Sequence, residues 1–309
     1  MTTPKPADPL IFDRGLLRQR RDRAASEFQD HNFLVHEIAA RMAERLGDIN
    51  RDFAVALDMG CHDGALGGLL ALNPRIGQVI QGDLSWRMAE RAHRENNLPT
   101  LVADEEALPF GENSLDLVTT ALSLHWVNDL PGALLQINRA LRPDGLFFAA
   151  MLGGETLHEL RQVWLEAEAE VEGGASPRVS PFADLRDIGG LMQRAGFALP
   201  VADLDTLTAT YDNALKLMTD LRGMGETNLH HARRKTFTRR ETLMRAAALY
   251  QERFADGDGR IPATFQVLYL TGWAPDPSQQ QPLKPGSAKA RLADALSVTE
   301  HDSGEKAPR

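Results

Sequence analysis

Cysteine is almost absent from this 309-residue chain, in which Cys61 stands alone. A single thiol excludes an internal disulfide and a cysteine-based zinc or iron–sulfur site, and it fits a reducing compartment, so a cytoplasmic protein is expected. No run of about 18 apolar residues occurs, which leaves no transmembrane helix and no stable membrane insertion. Nothing near the start has the apolar core of a signal peptide, and the early arginines are interspersed with Asp8, Asp13 and Asp22, unlike an acid-poor transit peptide. An excess of positive charge is missing too. The 34 basic and 43 acidic residues give a formal charge of −9, a field that opposes nucleic acid and anionic lipid. No G-x-G-x-x-G stands at the expected strand end, which speaks against a nicotinamide dinucleotide. The H-x-D or H-x-E spacing of a non-haem iron site is also lacking, because His62 and His158 have their acids directly adjacent and His230-His231 have none nearby. No metal site is expected.

What is present is an ordinary globular composition, 43% hydrophobic and 25% charged. Residues 1–9 hold three prolines and no apolar period, and are expected to form a loose tail. From Phe28 to Leu46 apolar residues recur every three to four positions, a helical stripe closed by Gly47. After it, short apolar runs alternate with amphipathic stretches: FAVALD, QVIQGD, LVAD, LDLVTTAL and GLFFAAML, with helices expected at Ala65–Leu72, Trp86–Glu95 and Leu130–Leu141. This β-α-β-α rhythm predicts a doubly wound, mostly parallel α/β sheet with ligands at the carboxyl ends of its strands. Residues 155–172 carry six glutamates against one arginine. Helices are expected at Leu185–Ala195, Ala214–Arg222 and Phe237–Phe254, around an extended ADLDTLTATY, and TFQVLYLTGW is a last strand returning to the same sheet. The expected division is an arm and helix at 1–47, a domain at 48–273 with a cofactor-binding half at 48–153 and a helical lid inserted at 211–262, and a tail at 274–309.

The first strand runs into Asp58-Met-Gly60-Cys61-His62-Asp-Gly64. Glycines there let a ligand approach the backbone and face the amide end of the next helix, or they simply permit a tight turn. The second strand ends at Asp83, followed by Leu84, where a carboxylate can accept both hydroxyls of a ribose. The third ends at Asp104-Glu105, placed to receive an adenine amino group. The bland alternative is that each acid is a strand-end turn former. After the fourth strand, Ser123, His125 and Trp126 form a loop above the same edge, where His125 serves as base or substrate-orienting group, or caps a helix, and Trp126 walls the pocket. Glu155, past the fifth strand, either binds a cationic substrate or caps its helix with Thr156. Cys61 sits where a helix N-terminus would lower its pKa, or merely fills the turn. Residues 1–23 and 233–245 together hold 12 of the 34 basic residues, an arm and a lid where a partner is expected to dock.

LDMGCHDG, Asp83, Asp104 and LPFGENSLDLVTTALSLHWVND with LRPDGLFF resemble the class I S-adenosylmethionine-dependent methyltransferases, in particular the small-molecule subgroup with the malonyl-carrier-protein methyltransferases. The resemblance implies a seven-stranded Rossmann-like sheet and S-adenosylmethionine as cofactor, with Asp58, Gly60 and Gly64 at its methionine end, Asp83 at the ribose and Asp104 at the adenine. His62 departs from the motif's middle glycine, and an ordinary φ is expected there. Across nearly the whole chain, IFDRGLLRQRR, GGETLHELR, EGGASPRVSPF, DLRGMGETN, IPATFQVLYLTGW and KPGSAK are similar to the family of the mitochondrial NADH dehydrogenase complex I assembly factor five and its bacterial relatives. That resemblance implies three readings: methyl transfer to a protein or small molecule, hydroxylation of an arginine in an iron–sulfur subunit of respiratory complex I, or an assembly chaperone that holds the cofactor without catalysis.

Overall fold

The structure is a computed structural model that describes residues 10–280, 287 and 292–299. The tail expected at 1–9 lies outside the described residues, as does KPGSAK (284–289) apart from Ser287. Residues up to Pro275 form one unit; of the second, from Asp276, the described part includes one helical turn at Leu292–Leu296.

Helix α1 (Arg14–Ala24) starts where the Asp13 carboxylate accepts the N–H of Leu16. The apolar stripe from Phe28 does not make one helix. It divides into a 3₁₀ turn at Phe28–Asp30 and helix α2 (Phe33–Gly47), because Asp30-His31-Asn32 favours local turn hydrogen bonds over helix propagation. Then follow β1 (Phe53–Met59), α3 (Ala65–Ala71), β2 (Ile76–Asp83), α4 (Trp86–Asn96), β3 (Thr100–Val102), β4 (Leu115–Ala121), α5 (Leu130–Ala140), β5 (Leu141–Leu152), α6 (His158–Glu172), α7 (Leu185–Arg194), β6 (Ala198–Tyr211), α8 (Ala214–Gly223), α9 (Arg240–Phe254) and β7 (Ile261–Trp273).

The sheet has the strand order β3-β2-β1-β4-β5-β7-β6, with β1 to β5 parallel and β7 antiparallel to both β5 and β6. Burial follows from this order. Inner strands such as β4 and β5 are buried along nearly their whole length because helices cover both faces. Edge strand β6 alternates exposed and half-buried residues, as a strand with one solvated face should. One core lies under α2, α3, α6, α8 and α9, and another under α5 and α7. The strand order reverses between β1 and β4, so the carboxyl ends of β1, β2 and β4 frame a crevice.

The acidic run and the basic lid answer one another. Glu166 pairs with Arg253, Glu170 with Arg245 and Glu172 with Arg234 and Thr242, which binds α6 to α9 and the segment before it. Glu168 turns inward, buried, and holds Ser176 and Arg178.

Phe147 of β5 is fully buried and stacks on Phe197 with ring centroids 5.2 Å apart, so it joins the central sheet to the approach of β6. Phe147→Ala should lower stability by about 3–5 kcal/mol. An unchanged midpoint in urea unfolding would contradict this packing.

Candidate functional site

The glycine turn is built from three left-handed positions in alternation. Gly60 has φ 70°, His62 φ 50° and Gly64 φ 86°. The ordinary φ expected at His62 is therefore corrected: its backbone takes the conformation of the glycine it replaces. Strain of this kind persists where surroundings over-determine the residue. Here the His62 N–H donates to Asp83 Oδ2 at 3.1 Å, its Nε2 lies 3.2 and 3.3 Å from the carbonyl oxygens of Ala121 and Leu122, and its ring stacks on Phe28. Burial, then the nearby Arg21 cation, hold the imidazole below its usual pKa, so it is neutral and donates through Nε2. Gly60 and Cys61 donate to the Gly82 carbonyl at 2.7 and 2.9 Å, tying the turn to β2. A Cβ on Gly60 would collide with Ser123. Cys61 is buried and its thiol is pushed up by burial, so the activated-thiol reading fails and the turn-filling one describes it.

Asp58 is fully buried, and burial pushes its carboxyl up to about 7 despite hydrogen bonds from the Gly67 N–H and the Thr119 hydroxyl. Its Oδ2 has no hydrogen-bond partner.

Asp83, Asp104 and Glu105 converge on the crevice as expected, and helix α1 already occupies them. Arg21, with no exposed surface, lies 3.4 Å from Asp83 Oδ2 and 3.3 Å from Ser123 Oγ. The other Asp83 oxygen accepts the Ser85 N–H at 2.8 Å. Arg14 pairs with Asp104 at 2.5 Å and with Glu105, whose carboxylate also takes the Ser123 hydroxyl. Burial alone would raise the Glu105 pKa, but Arg14 and Arg21 outweigh it and hold it below the usual range. The two arginines are seven residues apart, two helical turns, and share a face with buried Leu17. Leu17 packs with Phe12, Trp126, Leu229 and Leu84. The segment before α1 is fastened as well: Phe12 exchanges hydrogen bonds with the Asn128 side chain, and Asp13 and Ile11 bond the backbone of Leu229 and His231.

The acceptor groups expected for a nucleoside cofactor thus stand together, and α1 packs directly against them through Arg14 and Arg21. Among Asp58, His62, Asp83, Glu105 and Ser123 none is more than marginally exposed. With α1 in place Asp83 and Glu105 face its arginines and not solvent, while Asp104 stays partly exposed.

On the other side of α1 lies a cavity of about 910 Å³, walled by Leu16, Leu34, Trp164, Phe182 and Phe265 and reaching Trp126. Here Glu226, from the turn after α8, accepts the Trp126 Nε1–H at 2.8 Å and sits 3.1 Å from His125 Nε2. Burial would raise the Glu226 carboxyl; His125, then Arg21, hold it low, so it is anionic. Its Oε1 and the His125 Nδ1 have no hydrogen-bond partner. Residue patterns alone missed Glu226, although it stands within DLRGMGETN, and they registered Arg14 and Arg21 only as charge.

Glu155 does not join this group. It is exposed, its N–H bonds Gln266, and α6 begins at His158 after Leu157 (φ 53°) with no side-chain cap, so it is not a capping residue. Thr156 bonds the backbone of Gln266 instead. Among the described residues no three histidine, cysteine or acidic side chains come together to hold a metal ion.

Comparison with known proteins accords with the fold. The methyltransferase domain family matches residues 57–149. Arginine-hydroxylase NDUFAF5, mitochondrial, of Danio rerio is 42% identical over 93% of this chain and 90% of its own length. The chain belongs to the NDUFAF5 family. A malonyl-[acyl-carrier protein] O-methyltransferase of Halorhodospira halophila is 36% identical over 87% of this chain and 90% of that protein. Phosphoethanolamine N-methyltransferase 2 of Haemonchus contortus, solved with S-adenosyl-L-methionine, shares the fold at a TM-score of 0.53 and 17% identity, covering 89% of this chain and 62% of that one. The NDUFAF5-family chain is thus an enzyme of methyltransferase fold, and no helix among its described residues is long and apolar enough to cross a membrane.

Asp58 gives a pH test. Its folded pKa is raised, so its favourable contribution is complete only at low pH and is lost as pH rises through about 7. Asp58→Asn keeps the acceptor oxygen and cannot ionise. It should therefore stabilise the protein by ~2 kcal/mol more at pH 8 than at pH 5. Equal shifts in thermal midpoint at both pH values would show that Asp58 ionises normally.

Proposed function

We propose that this protein modifies an arginine side chain of a partner protein, as the relatives named arginine-hydroxylase do. The observation that carries the reading is Glu226, a half-buried residue on the cavity wall whose carboxylate is fixed through one oxygen by Trp126 and His125 and whose second oxygen, covered in this structure, has no hydrogen-bond partner. A guanidinium offers N–H donors in the fork geometry that such a carboxylate accepts. His125 stands beside it, within reach to take or orient a proton. The α8–α9 segment, which supplies Glu226, acts as the lid. The substrate implied by the family resemblance is an iron–sulfur subunit of respiratory complex I. A cytoplasmic location is part of this proposal, whereas the NDUFAF5 relatives of Danio rerio and Mus musculus are named mitochondrial.

Methyl transfer is the second reading, favoured by the three acids in strand order. S-adenosylmethionine, when bound, supplies an electrophilic methyl group on a sulfonium. In this reading Asp83 takes the ribose, Asp104 and Glu105 the adenine side, and the turn from Asp58 through Gly60, Cys61 and His62 to Gly64 the methionine end, each freed only when α1 swings out.

Incubating the protein with the iron–sulfur subunit in air, with a two-electron reductant and S-adenosylmethionine present, and weighing the product separates the readings. A gain of about 16 mass units is expected for hydroxylation, and about 14 for methylation, while a stable complex without mass change means a chaperone. Glu226→Gln should abolish the gain with the circular dichroism unchanged, and a fully active variant removes Glu226 from the reading. For the crevice, calorimetry should show S-adenosylmethionine binding at least about tenfold tighter to Arg14→Ala than to the unaltered protein, because the arginine no longer competes for Asp104. Equal or weaker binding to the variant overturns the assignment of adenine to Asp104.

A further inference from the structure

The rim of the large cavity carries charge that the fold leaves unanswered. Arg20 and Arg23 reach it from α1, Arg222 from the end of α8 and Lys235 from the segment before α9. Among the described residues none of the four has a carboxylate partner, whereas the neighbouring Arg178, Arg233 and Arg234 are paired with Glu168, Asp13 and Glu172. Arg20 is half-buried and donates only to uncharged groups, the Thr227 hydroxyl and the Asn228 carbonyl at 2.7 Å. Burial, then the cations Arg233 and Arg23, lower its pKa, the mark of a guanidinium crowded by like charge. The same rim holds one acid, Glu27, and Glu226 lies at the inner end. Like charges held together in a chain whose formal charge is −9 repel one another, and an anion brought among them removes that repulsion. Beneath the rim the wall is apolar, with Trp164, Phe182 and Phe265.

This combination suits an extended protein segment better than a free ion. The volume of about 910 Å³ is at the upper end of ordinary ligand pockets, room for several side chains. We propose that the cavity binds an acidic segment of the partner protein, in which carboxylates flanking the modified residue are read by Arg20, Arg23, Arg222 and Lys235 and apolar side chains rest on Trp164 and Phe265. The inference rests on the reading that the acceptor side chain enters this cavity toward Glu226. It adds the chemistry of the sequence around that side chain: a cation at the centre, anions on either side. The charge order also explains how an arginine passes a positive rim, since its flanking carboxylates meet the rim first.

The test uses the full-length protein and synthetic peptides of about a dozen residues, with binding read by fluorescence anisotropy at low and high salt. One peptide has a central arginine among glutamates and leucines, a second has glutamine for every glutamate, and a third has glutamine for the central arginine. The acidic peptide should bind at least about tenfold tighter than the glutamine-flanked one, with the difference shrinking as salt rises. Arg23→Glu with Arg222→Glu, both at exposed positions, should remove that preference. Equal binding of the first two peptides overturns the inference, as does a double variant that keeps the preference. Equal or tighter binding of phosphatidylglycerol vesicles or a single-stranded oligonucleotide, compared with the acidic peptide, overturns it too. The third peptide isolates the role of Glu226. If acidic flanks matter but the central arginine does not, the rim stands and the role of Glu226 falls; if the central arginine matters but the flanks do not, Glu226 stands and the rim falls.

Discussion

The contact on which the rest of the molecule depends is Arg21 against Asp83. Both side chains are without exposed surface, and an ion buried in low dielectric is tolerated only when it is paired and hydrogen-bonded. Asp83 in turn receives the His62 and Ser85 N–H groups, so the same carboxylate steadies the left-handed turn after β1 and the start of α4. Remove the guanidinium and three segments lose a common anchor. Because that guanidinium comes from α1, a helix that the sheet does not need for its own hydrogen bonds becomes part of the wall of two compartments at once. One face of α1 closes the strand-end crevice, and the other lines the cavity that reaches Glu226.

Much of this was legible in the residues. The extended runs and their alternation with helices follow from the apolar pattern, the first three ending at or beside acids, and the turn from Asp58 to Gly64 is where its glycines put it, whereas the strand order comes from the structure. What was illegible is long-range pairing. Arg14 and Arg21 look like solvated charge in a basic arm, and only the fold shows that Asp104 and Asp83 stand at the matching height. Glu226 is separated from His125 by 101 residues, and nothing local marks it as that histidine's partner. Glu155 erred in the opposite direction: a promising place past a strand end, where a left-handed Leu157 turns the chain away and leaves the carboxylate in solvent. His62 misled because side chains usually avoid positive φ, and four separate contacts hold it there.

Net charge proves a poor guide to local field. The glutamates of α6 are largely consumed by arginines on and around α9, and the arm's deepest arginines by the crevice acids. Of the positive charge left over, Arg20, Arg23, Arg222 and Lys235 gather at one mouth. A protein can therefore be acidic as a whole and still present a cationic entrance, because internal pairing subtracts unequal amounts from different faces.

The fastening of α1 also bears on how the chain is made. Arg20 is made well before the Asn228 carbonyl it binds, which follows 208 residues later. Loop closure over such a distance is slow, and domains form as their later parts emerge. Arg14 and Arg21 precede the acids they pair with, whereas the Thr227, Asn228, Leu229 and His231 contacts of the arm and α1 come only after α8. The ion pairs of α1 are therefore complete in sequence long before its last fastenings exist. The loop after α8 adds the final fastening, through the Thr227 hydroxyl and the Asn228 carbonyl.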